Sequence, residues 1–492
     1  MTAAATLVTF LIIGGLLLVN RDPRVRTSPA LWLPVIWVAI AVSRPVSTWL
    51  NMSPARSEEF YLEGSPFDRN IFAALLVLGI VVLLMRAPRV ISVLRNNIPI
   101  LLFFAYGALS ISWSEFPDIT FKRWIKALGD LVMVLVILTE NDPSAAIKRL
   151  FTRTAFVFVP LSLLFIRYFG ELGRQYSRWE GTVSYNGIAT DKNMLGMACL
   201  VFGIALFWRL QQEFSTPAAR HGSRWSSLDR GRKILPQSNR SLLAHGVVLA
   251  MLVLLLVVSN SMTSLGCFIL ASGLMVIVSF PSIGRRTGFI HLVVGGTIAV
   301  VFLVLFVDIG GLLLQSLGRN ATLTGRTELW PALLELAGNP FVGTGFESFW
   351  LGERLEKIWS LYWWHPTQAH NGYLEIYLTL GWIGIGLLAL VAIWGYGNII
   401  RMFRYDPVGA KLRLAFFVVA IAYDFTESAF KTLHPVWLAF LLAIIIPPRA
   451  VVKRAAERST RASAMHRGSR RTRALVGANG ALPRSNLPVS NR

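Results

Sequence analysis

Residues 373–397 read YLEIYLTLGWIGIGLLALVAIWGYG, a run of 25 residues that contains one charged side chain, Glu375. A helix needs about 20 consecutive apolar residues to cross the hydrocarbon core of a bilayer. The run is long enough to do so, and it therefore predicts a transmembrane helix.

The composition of the whole chain extends this conclusion. Apolar residues make up 54% of the 492 residues and charged residues 15%, whereas soluble proteins carry about 25% charged residues to wet their surface. The two cysteines, Cys199 and Cys267, both lie in apolar runs. A disulfide framework and a cysteine-based zinc site are therefore excluded.

Thirteen stretches share this apolar character, so we expect an all-α polytopic membrane protein with about 12–13 transmembrane helices. The last two stretches are short and are also compatible with one broken hairpin. Met1 to Asn20 lacks the basic segment and cleavage site of a signal peptide, so we interpret the first stretch as a span. The membrane domain is predicted to cover 1–447, with candidate spans near 3–19, 30–50, 71–86, 97–113, 124–139, 150–168, 194–210, 241–259, 263–280, 288–308, 373–397, 412–430 and 433–447.

Lysine and arginine are divided unequally between alternate loops. One set of loops holds 33 of the 48 basic residues and the other set holds 15. Positive charge collects on the cytoplasmic side, so we expect an outer N-terminus and a cytoplasmic C-terminus. This asymmetry accounts for the net charge of +22 without nucleic acid. The basic loop 211–240 and the basic, disordered tail 448–492 are predicted to attract anionic lipids.

Two predicted outer loops, 169–193 and 309–372, are longer than a simple turn requires, and long loops are often functional. In the larger loop, an amphipathic helix is predicted from Leu329, Leu333, Leu336 and Ala337, lying in the membrane interface. Arg326 would stand at its N-terminus, either to bind an anion or to pair with Glu328 or a lipid phosphate.

Three further features of the large loop each have two interpretations. Gly343-Thr344-Gly345 permits close backbone approach to a ligand, or forms a plain tight turn. A set of aromatic side chains either anchors the loop at the lipid headgroups or stacks on sugar rings. His370 at a membrane boundary is a solvated surface group or a general base. The aromatic residues are Trp350, Trp359, Tyr362, Trp363 and Trp364.

The smaller loop carries Arg174, Arg178 and Lys192 among turn-forming residues. Such a segment either binds phosphate or forms charge-paired scaffolding, and the residues alone leave both open.

Taken in order, several motifs resemble those of the O-antigen ligase/polymerase superfamily of bacterial envelope glycosyltransferases. The large-loop motifs match in order and spacing, and Met262 occupies a position where the family usually has a basic residue. The Asp-Lys-Asn form and Ser43-Arg44-Pro45 are similar to ExoQ-type exopolysaccharide polymerases. The motifs are Trp113-Ser114-Glu115-Phe116-Pro117, Asp191-Lys192-Asn193-Met194-Leu195-Gly196, Ser259-Asn260-Ser261-Met262-Thr263-Ser264, Gly325-Arg326-Thr327-Glu328-Leu329-Trp330, Asn339-Pro340 with Gly343-Thr344-Gly345-Phe346, and His370-Asn371-Gly372-Tyr373.

The resemblance implies a GT-C-like glycosyltransferase in the bacterial inner membrane, with its active site on the periplasmic face. Such an enzyme moves a glycan from undecaprenyl pyrophosphate to an acceptor hydroxyl, without a metal or other cofactor. In agreement, no outer-face cluster of acids or histidines has metal-ligand spacing. A flippase and a chain-length co-regulator are the partners expected from such a pathway.

The resemblance also implies roles for individual residues. His370 would be the general base and Arg326 would stabilise the pyrophosphate, because guanidinium groups match phosphate geometry. Arg174 or Arg178 would add a second cation, and the further substrate-binding residues would be Lys192, Asn193 and Asn371. Glu375 either tunes His370 or is an ordinary interfacial acid.

Two other functions stay open at this point. An O-antigen ligase would use the same chemistry and transfer the glycan to lipid A-core. A transporter would need polar sites near the bilayer midplane, where Asp130 is among the few acids.

Overall fold

The computed structural model describes residues 2–20, 27–52, 64–176, 183–215, 237–284, 286–306 and 326–447. In these ranges almost all regular structure is helical, which confirms the all-α prediction. The α-helices are α1 Thr2–Val19, α2 Trp32–Ala41, α3 Val46–Trp49, α4 Pro66–Met85, α5 Ala87–Arg95, α6 Ile98–Leu109, α7 Pro117–Leu138, α8 Pro143–Tyr168, α9 Gly170–Gly173, α10 Lys192–Ser215, α11 Gln237–Val258, α12 Met262–Ile277, α13 Pro281–Gly284, α14 Thr287–Phe306, α15 Arg326–Glu335, α16 Gly352–Leu361, α17 Gly372–Met402, α18 Pro407–Tyr423 and α19 Pro435–Ile444.

Each of the thirteen predicted spans overlaps at least one of these helices. Six of them (α1, α4, α8, α10, α11 and α17) are individually long and apolar enough to cross a membrane. Others are shorter than expected. The predicted span 30–50 breaks after Ala41 into the short helix α3, and 412–430 is helical only to Tyr423. The basic loop lies mostly outside the described residues, as do the tail and residues 309–325.

Helices α8, α10, α18 and α19 form the centre of the bundle. Every residue of α19 is buried, and α10 is buried from Leu195 to Leu206. In contrast, α1 and α4 expose large apolar side chains such as Leu11, Leu84 and Met85. Exposed apolar side chains on long helices are what a lipid-facing surface requires, so the bundle has a packed interior and an apolar periphery.

A two-stranded antiparallel hairpin lies in the smaller predicted outer loop. Strand β1 (Arg174–Tyr176) pairs with β2 (Val183–Tyr185), with Arg174 opposite Tyr185. The loop was predicted only as turn-rich, because strands of three residues leave too short a pattern to recognise.

Helix α17 is broken near its first third. Gly381 has φ 63°, a left-handed conformation that favours glycine. The preceding segment of the chain fills the break: Trp382 N donates to Pro340 O at 2.9 Å, and Gly345 N donates to Thr379 O at 2.8 Å. Backbone groups released by the break are thereby satisfied, and the large loop is attached to the bundle at this point.

Candidate active site

The predicted outer loops meet at one end of the bundle. Arg44, after α2, donates its backbone N–H to Ile188 O in the smaller loop at 3.1 Å. In the large loop, Glu347 accepts a hydrogen bond from Arg123 of α7 through its backbone carbonyl. Its carboxylate accepts one from Thr432 N at 2.8 Å. Thr190 of the smaller loop and Glu347 of the large loop line one cavity, so segments far apart in sequence form a single surface.

His370 lies immediately before α17, with φ 52°. Its Nδ1 is 3.1 Å from Oε2 of Glu427, and the two side chains are 17% and 13% exposed. The Trp364 ring centroid is 6.2 Å from that of the imidazole. When Nδ1–H donates to the carboxylate, Nε2 is the ring nitrogen that accepts a proton. The pair therefore has the arrangement of a base and its orienting acid.

Asn371 holds the backbone next to His370. Its Oδ1 accepts hydrogen bonds from Tyr373 N and Leu374 N at 3.0 Å each, which caps α17. Its own N–H donates to Ser428 Oγ at 3.2 Å. The structure thus gives this residue a capping function, and its contact with substrate stays a prediction.

Gly372 allows α17 to approach the turn that follows α18. Its N–H donates to Asp424 O at 2.8 Å, and a Cβ at this position would overlap the carboxylate of Asp424. That carboxylate accepts from Ala429 N at 2.7 Å and Phe430 N at 3.0 Å. The His-Asn-Gly motif therefore both contains His370 and fixes its position against the turn after α18.

The hydrogen-bond partners of the Glu375 carboxylate are groups other than the His370 imidazole. Its carboxylate accepts from Trp350 Nε1 at 2.5 Å and from Ala369 N at 2.9 Å. The acid that contacts His370 is Glu427, which sequence reasoning missed. Glu375 instead fixes the chain on the N-terminal side of His370.

Residues 326–369 form a folded unit, here called the cap, with its own apolar cluster. Leu329 and Leu333 are fully buried in it, and Leu336 and Ala337 pack against it. The predicted helix is therefore confirmed as α15. These side chains face the cap and the start of α17; the location of α15 in the membrane interface stays a prediction.

The aromatic residues mainly build the cap. Trp330 Nε1 donates to Ala369 O at 2.9 Å, and Trp359 Nε1 donates to Pro366 O at 3.0 Å. Tyr362 OH donates to Glu328 O at 2.8 Å. Trp363, at 75% exposed, remains available for the surface anchoring considered from the sequence.

A cavity of about 340 Å³, here called the cap cavity, lies between the cap and the bundle. Ligand sites commonly have volumes in this range. Trp350 and Trp359 supply apolar walls, and the three acids Glu347, Glu356 and Glu375 also line it. The cavity thus combines flat aromatic surfaces with hydrogen-bonding groups, as a site for sugars requires.

Two cations, Arg123 and Lys431, line the cap cavity, and neither was singled out from the sequence. Lys431 Nζ donates to Gln368 Oε1 at 2.8 Å, and Gln368 Nε2 lies 3.4 Å from His370 Nδ1. Because Nδ1–H donates to Glu427, the Gln368 amide is a neighbour of the imidazole and not a second hydrogen-bond partner of Nδ1. His370 is therefore adjacent to the cavity, with Gln368 between it and Lys431, although it is not itself part of the lining. Both cations could have been recognised from the sequence, because each is a charged residue beside an apolar span.

The arginines predicted to hold pyrophosphate are only partly described. Arg326 is the first residue of α15, but its side chain lies outside the described part of the structure, as does all of Arg178. Arg174 lies on β1, where its Nε donates to Ile166 O at 2.8 Å, and its guanidinium carbon is 6.0 Å from the Tyr185 ring centroid.

Lys192 and Asn193 are the first two residues of α10. Lys192 is half-buried and Asn193 is exposed. The carboxylate of Asp191 accepts hydrogen bonds from the backbone N–H groups of Asn193 and Met194 at 2.9 and 3.0 Å. Asp191 thus caps the helix, which leaves both predicted side chains near its accessible end.

The remaining sequence motifs pack against one another or against the bundle. A Cβ on Gly345 would lie 2.8 Å from Ser114 Cβ, and one on Gly343 would overlap the backbone of Thr379. Gly343 and Gly345 have φ of 68° and 104°. Likewise, a Cβ on Gly196 would lie 2.6 Å from Ser261 Cβ. The close approach expected at 343–345 therefore exists, but toward the protein's own backbone.

The metal and transport predictions can be examined in the described residues only. Within those ranges, no three His, Cys, Asp or Glu side chains form a group able to hold a metal ion. Asp130, the acid considered for transport, is fully buried. It accepts hydrogen bonds from Trp37 Nε1 at 2.8 Å and Leu433 N at 2.9 Å, so its polar atoms are used in holding helices together.

Comparison with known proteins agrees with the motifs. Residues 246–389 match the family model described as O-antigen ligase. The chain is also 25% identical, over 314 residues, to the exopolysaccharide production protein ExoQ of Rhizobium meliloti (strain 1021). That alignment covers 62% of this chain and 66% of the relative, slightly less than two thirds of its length. Both matches confirm the resemblance to the O-antigen ligase and ExoQ-type family of membrane proteins.

Proposed function

We propose that this protein is a membrane glycosyltransferase that polymerises undecaprenyl-pyrophosphate-linked oligosaccharide repeats in exopolysaccharide biosynthesis. The observation that carries the proposal is the His370–Glu427 pair at 3.1 Å, next to a cavity lined by acids, cations and aromatic side chains. The matched segment 246–389 includes both His370 and Arg326. A protein matching a polysaccharide polymerase or ligase family thus has a base beside a site suited to sugars.

The proposed reaction assigns one task to each group. Nε2 of His370 removes the proton from the acceptor hydroxyl as its oxygen attacks the anomeric carbon. A new carbon–oxygen bond forms while the bond to pyrophosphate breaks on the opposite face, which inverts the configuration. The bonding electrons leave with the lipid pyrophosphate, and Glu427 stabilises the imidazolium that forms.

Cations would stabilise the charge that grows on the leaving group. Arg326 and either Arg174 or Arg178 are proposed for this role, with Lys192, Asn193 and Asn371 contacting substrate nearby. The start of α15, β1, the start of α10 and the start of α17 all belong to loops predicted on the outer side. Arg123 in the cap cavity adds a described cation to this set.

The chemistry requires neither a metal nor another cofactor, because arginine supplies the positive charge and histidine the base. We place the protein in the bacterial inner membrane, with the active site on the periplasmic face and the C-terminus in the cytoplasm. The distribution of Lys and Arg between alternate loops supports this orientation. A flippase and a chain-length co-regulator are its proposed pathway partners.

Polymerase and ligase differ in the acceptor, and the similarity to an exopolysaccharide production protein favours the polymerase. A deletion strain separates the two. If the protein is a polymerase, the surface glycan of the deletion strain should be reduced to single repeats, and the wild-type gene should restore full-length chains. Full-length free polymer that lacks attachment to lipid A would instead identify a ligase. A strict requirement for a divalent metal in the purified reaction would contradict the mechanism.

A further inference from the structure

A second and larger cavity, of about 600 Å³, lies between helices α2, α4 and α7. It is here called the three-helix cavity. Phe121, at 51% exposed, is part of its lining, so the cavity reaches the outer surface of the bundle. Its volume is ample for part of a large ligand.

The lining changes from charged to apolar along the helices. On α4, Arg69 lies in the first turn and is followed by Phe72 and Leu76, one and two turns further from the helix start. On α7, Lys122 precedes Lys126 by one turn. Both helices begin at the end of the bundle where the outer loops meet. The cavity is therefore charged near that end and apolar toward the membrane interior.

The charged part carries an excess of positive groups. Its two acids already have polar partners: Asp68 accepts hydrogen bonds from the backbone and hydroxyl of Ser47, and Glu347 accepts one from Thr432 N. Against these two acids stand four basic lining residues. They are Arg69, Lys122, Arg123 and Lys126.

Lys126 gives the clearest indication of an anionic ligand. It lies inside the predicted span 124–139, yet it forms no ion pair within 4 Å with any residue that the structure describes. Glu347, Asp130 and Asp68 act on its charge only from a greater distance. Its Nζ is 5.6 Å from the Phe72 ring centroid. A charged side chain within a span costs free energy and commonly marks a functional pathway. An anion in the cavity would offset that cost.

The two cavities share part of their walls, because Arg123 and Glu347 line both. A lipid phosphate in the three-helix cavity would therefore place any attached glycan next to the cap cavity. Arg123 would then stand at the boundary between phosphate and sugar, on the route toward Gln368 and His370.

We propose that the three-helix cavity binds the phosphate end of the lipid-linked glycan donor, with Lys122 and Lys126 contacting phosphate and the isoprenoid chain lying along Phe72 and Leu76. This proposal rests on the proposed glycosyl transfer for the identity of the occupant. It adds a binding site on α4 and α7 to the arginines of the two outer loops.

Binding of a sugar-free polyprenyl diphosphate to the full chain in nanodiscs of zwitterionic lipid tests the site. The double variant Lys122→Gln/Lys126→Gln should weaken binding about tenfold or more, since it removes two charge-assisted contacts with phosphate. Lys357→Gln is the matched control, because Lys357 is exposed on α16 and lines neither cavity. Its affinity should equal that of the wild type.

A second variant tests the lipid part of the site. Leu76→Trp fills the apolar end and should weaken binding of the polyprenyl diphosphate while leaving that of inorganic pyrophosphate unchanged. Unaltered lipid affinity in the lysine variant would overturn the proposed phosphate site, and unaltered lipid affinity in Leu76→Trp would overturn the proposed position of the isoprenoid chain. Equal competition by phosphatidylglycerol would also overturn the proposal, because a bilayer phospholipid would then be the occupant.

The outcome is separable from that of the proposed function. If His370→Ala retained full turnover while the lysine variant lost lipid binding, the catalytic proposal would fail and the lipid site would stand. If His370→Ala abolished turnover and the lysine variant bound normally, the reverse conclusion would hold.

Discussion

His370 and Glu427 are separated by 57 residues in sequence, yet Nδ1 of the imidazole lies 3.1 Å from Oε2 of the carboxylate. Glu427 belongs to the segment between α18 and α19, whereas His370 precedes α17. The contact therefore depends on the docking of α17 against that segment, through Gly372 and Asp424.

We predict that Glu427→Gln lowers kcat at least about tenfold, because the imidazolium formed during proton transfer loses its carboxylate partner. KM for the lipid-linked donor and the thermal unfolding temperature should stay near the wild-type values. Glu427→Asp should retain more activity than Glu427→Gln. Glu353→Gln, at an exposed position on α16, is the control. Equal turnover in the two Glu→Gln variants would remove Glu427 from the mechanism.

Gly372→Ala should destabilise the protein, because the added methyl group overlaps the Asp424 carboxylate. Overpacking of this kind costs about 1–3 kcal/mol. The unfolding temperature of the purified protein in detergent measures the effect. Gly386→Ala in the same helix has no atom within 4 Å of the new Cβ and should leave that temperature unchanged or raise it. A harmless Gly372→Ala substitution would contradict the described packing.

At the opposite end of the bundle, Glu140 joins three segments. It accepts hydrogen bonds from Ser28 N at 3.0 Å, Ser28 Oγ at 2.5 Å and Arg86 Nη2 at 2.7 Å. Burial favours a higher pKa for Glu140, but these bonds outweigh it and hold its pKa below the ordinary value. The carboxylate therefore contributes stability above the unfolded-state pKa of about 4.3, and loses that contribution as pH falls through the lowered folded-state pKa.

Glu140→Gln should reduce stability at neutral pH and make the unfolding temperature less sensitive to acidification. Unfolding temperatures of wild type and variant measured between neutral and acidic pH test this expectation. Glu335→Gln in the cap is a suitable control. Parallel pH profiles for wild type and Glu140→Gln would show that the buried contacts contribute no pH-dependent stability.

Arg326→Ala should lower turnover by about two orders of magnitude, the size expected when a group that stabilises an oxyanion is removed. Arg326→Lys should recover only part of the loss, because an ammonium group lacks the two-pronged geometry of guanidinium. Arg404→Ala, at an exposed position just after the end of α17, provides the comparison. Full activity of Arg326→Ala would exclude this residue from pyrophosphate binding.

Local patterns were sufficient to predict much of the fold. Apolar runs located thirteen stretches that each contain helix, and the spacing of Leu329 and Leu333 predicted α15, because helix periodicity is a property of neighbouring residues. The break of α17 at Gly381 was not predicted. It depends on residues 340–345 inserting their backbone into the helix, and a glycine inside an apolar run does not reveal such a distant partner.

The site was predictable only in part for the same reason. The sequence indicated His370 by its position beside a span. Glu375, considered either as its tuning acid or as an ordinary interfacial acid, is hydrogen-bonded to Trp350 and Ala369 instead. Glu427 and Lys431 come from a segment whose approach to His370 is fixed by tertiary packing. Neither spacing nor charge pattern can supply that information from one sequence.

The most direct test of the account is the turnover of purified lipid-linked oligosaccharide by His370→Ala, with His291→Ala as the control. His291 is exposed and hydrogen-bonded to Tyr396 at 2.8 Å, away from the cap cavity. We predict that His370→Ala lowers turnover about a hundredfold or more, with unchanged folding, while His291→Ala stays near the wild type. Comparable turnover of the two variants would contradict the role of His370 as the general base.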